Sequence, residues 1–209
     1  MTQARIMLLT TSILAMQIAL VNAQALPSSA PKGQQQALVL SGHVVISGNP
    51  TAYLIRELPV SSFPALPDAV QNDLNKRGCA IPQTYEAHRP ENVVHGNFEG
   101  RGASDWAVLC AAQGTVSLLV FFDGSTQPAA VLASAPETER LQAHDSSGVL
   151  GFNWAIDPAS PQQIAEAQKG VMPHPPTLDH DAIADTIVEH KTIYHLYAKS
   201  AWTLVKLPD

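Results

Sequence analysis

Four of the eight histidines in this 209-residue chain, His174, His180, His190 and His195, fall in its last third, together with Asp179, Asp181 and Asp185. Imidazoles and carboxylates hold zinc and related ions only when they converge, and the chain has no His-x-x-x-His or His-Glu-x-x-His spacing to bring them together. Asp181 and Asp185 are expected one helical turn apart on a solvated face. His88 and His95, on either side of residue 90, read as structural or exposed. Glycoside cleavage needs a carboxylate pair that only the fold would assemble, and Glu86, Glu91, Glu99 and Asp105 are the first to inspect. Nucleophilic and nucleotide chemistry have no signature: Gly-x-Ser-x-Gly, the Walker loop and the dinucleotide fingerprint are absent, and no catalytic residue is assigned. Trp106, Trp154 and Trp202 fill core unless a sheet face exposes them, in which case they would stack on sugar rings or anchor a partner. Tyr194, His195 and Tyr197 alternate near the C-terminus and would leave one hairpin face open.

The elements that must position these groups read as α+β. Residues 37–40, 43–46 and 52–58 are short apolar, β-branched runs, with Ser41-Gly42 separating the first two. Residues 67–77 read as a helix. Pro67 stands at its first position, Asp68 lies in the first turn, Lys76 and Arg77 in the last, and Gly78 is the left-handed cap. Leu66, Val70 and Leu74 form its apolar stripe, with Ala69 beside them. Residues 105–112 and 115–122 flank Gln113-Gly114 as a hairpin so apolar that both faces should be covered. A strand at 129–133 is expected at an edge because of Pro128. After a polar loop at 137–148, residues 149–156 look extended. Ser160, Pro161 and Gln163 form a capping box opening a helix to Lys169, and residues 172–176 are a proline-rich linker. Asp179 is expected to cap another helix, with Ile183, Ala184, Ile187 and Val188 on one face. Residues 192–198 and 202–207 close the chain as a hairpin. The expectation is one mainly antiparallel twisted sheet with two or three packed helices in a single domain over 37–209.

Residues 1–25 carry Arg5 as their only charge, an apolar stretch from Ile6 to Val21, and Ala23-Gln24-Ala25 ahead of Leu26. This is the pattern of a secretory signal peptide, with residues 26–36 as a flexible leader behind it. Export to a periplasmic or secreted location implies an oxidising compartment, where the only two cysteines, Cys79 and Cys110, most simply pair with each other. A net charge of −6 without a basic cluster excludes nucleic acid as a partner, and no stable membrane insertion is expected after cleavage.

The segment Gly96-Asn-Phe-Glu-Gly-Arg-Gly-Ala-Ser-Asp105-Trp-Ala-Val-Leu109 resembles a single motif of the FG-GAP/VCBS repeats of integrin-type propellers. That resemblance implies calcium-ligand positions at Asn97, Glu99, Arg101 and Asp105. An arginine there removes an oxygen and adds a positive charge, leaving Asn97, Glu99 and Asp105 as a degenerate calcium-like set. In the alternative reading, Arg101 replaces the metal and pairs with Glu99 or Asp105. The order of features, with Gly-Cys-x-Ile-Pro-Gln at 78–83 and Leu-Asp-His-Asp at 178–181, is similar to that of a group of small exported bacterial proteins without assigned activity. The expectation is an exported non-catalytic binding module of the cell envelope, meeting an envelope protein or a glycan. No cofactor is expected beyond calcium. The alternatives are a small periplasmic hydrolase using carboxylates or histidines and a calcium-stiffened structural domain.

Overall fold

A computed structural model describes residues 37–125, 129–175 and 177–208. The expected signal peptide, the leader and the edge role of Pro128 lie outside them. The described chain is mostly sheet, with two α-helices and one disulfide. The strands are β1 (Leu38–Ile46), β2 (Asn49–Pro59), β3 (Ala80–Gln83), β4 (Val93–Gly96), β5 (Asp105–Ala112), β6 (Thr115–Phe121), β7 (Ala130–Pro136), β8 (Leu141–Ala143), β9 (Leu150–Phe152), β10 (Trp154–Ala159), β11 (Ala182–Ile187), β12 (Lys191–Ala198) and β13 (Ala201–Leu204). The helices are α1 (Asp68–Arg77) and α2 (Pro161–Ala167).

These strands form two sheets rather than the expected one. The large sheet runs β7-β6-β5-β3-β2-β9-β8, with β1 on β2 and β4 on β5, and the small sheet runs β10-β11-β12-β13. The split falls within the extended run at 149–156. Residues up to Phe152 pair with β2 and β8, whereas Trp154 onward pairs with β11. Alternation along β5 and β6 builds two cores, as the doubly apolar hairpin requires. Ala107, Leu109, Leu118 and Val120 meet Trp154, Ile156 and Ile183 of the small sheet. Val108, Cys110, Leu119 and Phe121 meet Val70 and Leu74 of α1. On the far side of the small sheet, Ala182, Ala184 and Leu196 receive Ile164 of α2. The order of layers is therefore α1, large sheet, small sheet, α2.

Helix α1 ends as its sequence dictates: Gly78 has φ 74°, and its N–H donates to Asn75 O and Leu74 O. Pro67 stands at the N-cap rather than at the first helical position, and Ala69 faces solvent. Cys79 then reaches β5, where it bonds Cys110 across 5.0 Å between Cα atoms. The capping box on α2 is present: Ser160 Oγ accepts from Gln163 N, and Gln163 Oε1 accepts from Ser160 N. Residues 37–46 hold one strand instead of two, because Gly42 continues the pairing with β2 opposite Tyr53.

The helix expected after Asp179 is a strand, β11. Ile183 and Ile187 satisfy a helical spacing of four equally well as an alternation through Asp185, and the alternation prevails because β10 and β12 flank the segment on both sides. Asp181 and Asp185 consequently do not share a helical face.

Candidate functional site

The loop between β4 and β5 brings together part of the calcium-like set and sends the rest elsewhere. Asp105 opens β5, fully buried, and each of its carboxylate oxygens accepts a backbone N–H: Oδ2 from Glu99 at 2.7 Å and Oδ1 from Asp123 at 2.9 Å. Asp123 follows β6 at φ 47°. Asp105 thus closes its own glycine-rich loop and also holds the turn after β6. One carboxylate oxygen from each of Glu99, Asp105 and Asp123 lies within 4.8 Å of the others. Asn97 is not part of this group: its backbone N–H and side-chain amide both donate to Asp181 Oδ2, at 3.0 and 3.1 Å, and its carbonyl accepts from Asp181 N. Among the described residues Arg101 makes no ion pair, so it does not replace a metal by binding Glu99 or Asp105.

Asp123 was missed in the sequence because 18 residues separate it from Asp105. The hairpin itself carried the signal. With Trp106 opposite Phe121, Asp105 and the Asp123-Gly124 turn must lie at the same end of β5–β6.

The C-terminal histidines and acids disperse. Asp185 is buried beneath the large sheet, where Oδ1 accepts from Trp154 Nε1 at 2.7 Å and Oδ2 from His195 Nε2 at 2.9 Å. Paired burial of this kind lets a carboxylate sit in a core. His180 lies 2.7 Å from both Asp179 Oδ1 and the Tyr197 carbonyl. Hydrogen bonding to His180 holds the Asp179 carboxyl below its ordinary range. His174 lines a surface cleft, while His88 and His190 are exposed. His95 packs on Trp106 with ring centroids 4.8 Å apart, and its Nε2 is 2.9 Å from Ser104 Oγ.

Of the four carboxylates singled out for hydrolysis, Glu99 and Asp105 come together at the loop and the other two lie elsewhere. Glu86 is exposed, and Glu91 accepts from the backbone N–H and hydroxyl of Thr84. Neither belongs to the Glu99–Asp105–Asp123 group. A carboxyl the sequence did not flag, Glu57 on β2, is pushed up to about 7, first by burial and then by the neighbouring Glu137 carboxylate.

The tryptophans are occupied. Trp154 is fully buried with the Arg140 guanidinium 4.2 Å over its ring, and Trp202 stacks on Phe122. Tyr197 packs on Phe122 at 4.7 Å, which covers one face of the last hairpin, while Leu196 and Thr203 on the other face line a cleft.

Two of the concavities among the described residues bear on function. One, about 370 Å³, is lined by Arg56, Thr84, Tyr85, His144 and Asp145 together with apolar Leu54, Val149 and Phe152. There Tyr85 stacks on His144, and its hydroxyl donates to Glu189 Oε2 at 3.1 Å. Burial first, then that carboxylate, push the Tyr85 hydroxyl up to about 12. The other, about 310 Å³, lies between the end of α2, residues 171–175 with Leu178, and β13. It is lined by Met172, Leu178, Leu196, Leu204 and Val205, with polar atoms from Gln168 and His174. Gln168 braces its floor by donating to Lys206 O at 3.2 Å. Met172 is 81% exposed and Leu204 60% exposed at its mouth. Among the described residues, no helix is long and apolar enough to cross a membrane. No protein-family model, curated protein or solved structure matches this chain.

Proposed function

We propose that the chain is an exported, non-catalytic binding module of the bacterial cell envelope, taking an apolar segment of an envelope protein into the cleft beside α2. The observation that carries this reading is the cleft itself: concave, mainly apolar, with large apolar side chains exposed at its mouth and a few polar atoms to orient a guest. Export rests on the signal-like residues 1–25, and the closed Cys79–Cys110 pair suits an oxidising compartment. A protein guest is favoured over a glycan because Trp154 is buried, Trp202 is stacked against Phe122 and the His95 ring packs on Trp106, so none offers an open platform to a sugar. A photo-crosslinker placed at Leu204 in the chain starting at Leu26 tests this in envelope extract. One crosslinked protein in near-stoichiometric yield, lost when Met172→Glu is added, supports the reading. A crosslinker that captures nothing above background refutes it.

A second reading, the calcium-stiffened domain of FG-GAP/VCBS type, is supported by the convergence of Glu99, Asp105 and Asp123. Three carboxylate donors meet part of the six to eight oxygens that calcium takes. Calcium would then raise the Tm of the wild type but not of Asp123→Asn, and identical melts in calcium and in chelator would sink this reading.

A further inference from the structure

Independently of that cleft, we propose that β1 is a self-association edge: two copies of the chain pair their β1 strands antiparallel about a two-fold axis at Gly42, joining their large sheets. Strand β1 pairs with β2 over nine residues, and among the described strands nothing pairs with its other edge. A free edge presents a row of unpaired backbone N–H and C=O groups, which proteins ordinarily protect with lysine, proline, a bulge or a short strand. Here the strand contains no acidic or basic residue apart from His43, no proline, and an unbroken register along its whole length.

Among the described residues, both faces of β1 are also largely exposed. Leu38, Val39, Leu40, Val45 and Ile46, with Leu54 beside them on β2, are between 37% and 75% exposed. Together they expose on the order of 500 Å² of apolar side chain per chain, a patch of the size that marks an interaction site.

The order of residues selects the occupant. Read outward from Gly42, the strand is polar at Ser41 and His43 and then apolar for three positions in each direction: Leu40, Val39 and Leu38 one way, Val44, Val45 and Ile46 the other. An antiparallel copy centred on Gly42 therefore sets Leu38 against Ile46, Val39 against Val45, Leu40 against Val44 and Ser41 against His43, apolar to apolar and polar to polar at every step. A two-fold interface requires this self-complementarity, which an arbitrary foreign strand has no reason to share. Position 42 is glycine because the Tyr53 ring of β2 fills the place its side chain would take, with the hydroxyl oxygen 2.7 Å from where a Cβ would stand. The extended pairing would span about 30 Å.

Sedimentation equilibrium of the chain starting at Leu26 should give twice the chain mass, and Val45→Lys and Val39→Lys should each give the single-chain mass. Both side chains are more than half exposed, so these variants should keep the wild-type circular dichroism. Register is tested by mixing Ser41→Cys protein with His43→Cys protein under mild oxidation. The mixture should crosslink at least tenfold faster than either variant alone, since only the mixed pair faces across the axis. A wild type that stays at single-chain mass up to about 100 µM overturns the proposal. So does a dimer that persists in both lysine variants, or crosslinking no faster in the mixture. A monomer whose β1 amides become protected from exchange only when envelope extract is added would assign the edge to a different protein and likewise overturn self-pairing.

Discussion

Strands β5 and β1 are built from the same kinds of residue and meet opposite fates. In β5, Ala107, Val108 and Leu109 are completely buried, because the small sheet covers one face, α1 the other, and strands pair along both edges. In β1, Leu38, Val39 and Val45 are more than half exposed, because no described layer lies over either face and only β2 lies alongside. Apolar, β-branched content determines that a segment becomes a strand. Whether the strand is core or contact surface depends on what the rest of the chain stacks upon it. Strand β2 shows the transition within one element, passing from exposed Asn49 and Pro50 beside β1 to buried Ile55 further along.

The contrast can be broken most forcefully at the covered end. Replacing Cys79 and Cys110 by alanine opens a link spanning 31 residues and should cost about 4 kcal/mol by the chain-entropy estimate, read as a lowered urea midpoint with an intact cooperative transition. Leu109→Ala, within β5, should cost about 3 kcal/mol. Asn92→Ala should cost about 2 to 3 kcal/mol, because the buried side chain donates to Pro82 O and Trp154 O and accepts from Ile156 N, and its loss orphans groups in both sheets. At the boundary, Glu57 carries a pH dependence. Its folded value of about 7 lies above the ordinary 4.5, so the protonated form is the stabilised one. That contribution is complete below pH 4.5 and is lost as the pH rises through 7. Glu57→Gln should thus gain on the wild type between pH 5 and 8 by about 1 kcal/mol after solvent screening, or roughly 3 °C in Tm. At the bare end, Val45→Thr should leave the stability of the isolated monomer within about 0.5 kcal/mol, the smallest effect of the series.

Features governed by neighbours in sequence were legible: the Gly78 stop of α1, the Ser160–Gln163 box, the β5–β6 hairpin, and the pairing of two lone cysteines. Features governed by distant partners were not. An aspartate at position 185 disguised the inward alternation Ile183, Asp185, Ile187, since its compensating donors, Trp154 and His195, come from neighbouring strands. The same holds at the loop. Asn97 looked like a ligand beside Glu99, yet its partner is Asp181, 84 residues away. Composition gave no warning of a second sheet either, because the chain changes sheets at Asn153 within the buried run 150–154.

The parallel pairing of β2 with β9, Tyr53 opposite Leu150 and Leu54 opposite Gly151, places a clock in the folding reaction. The β1–β2 hairpin can close as soon as its turn exists, on a timescale of about 1–10 µs. Its inner edge is finished only when a segment about 100 residues downstream returns, and non-local pairing of this kind belongs to folding times of about milliseconds to seconds. Throughout that interval Leu54 and Ile55 stand beside an unfinished ladder, for roughly a hundred hairpin-formation times or more.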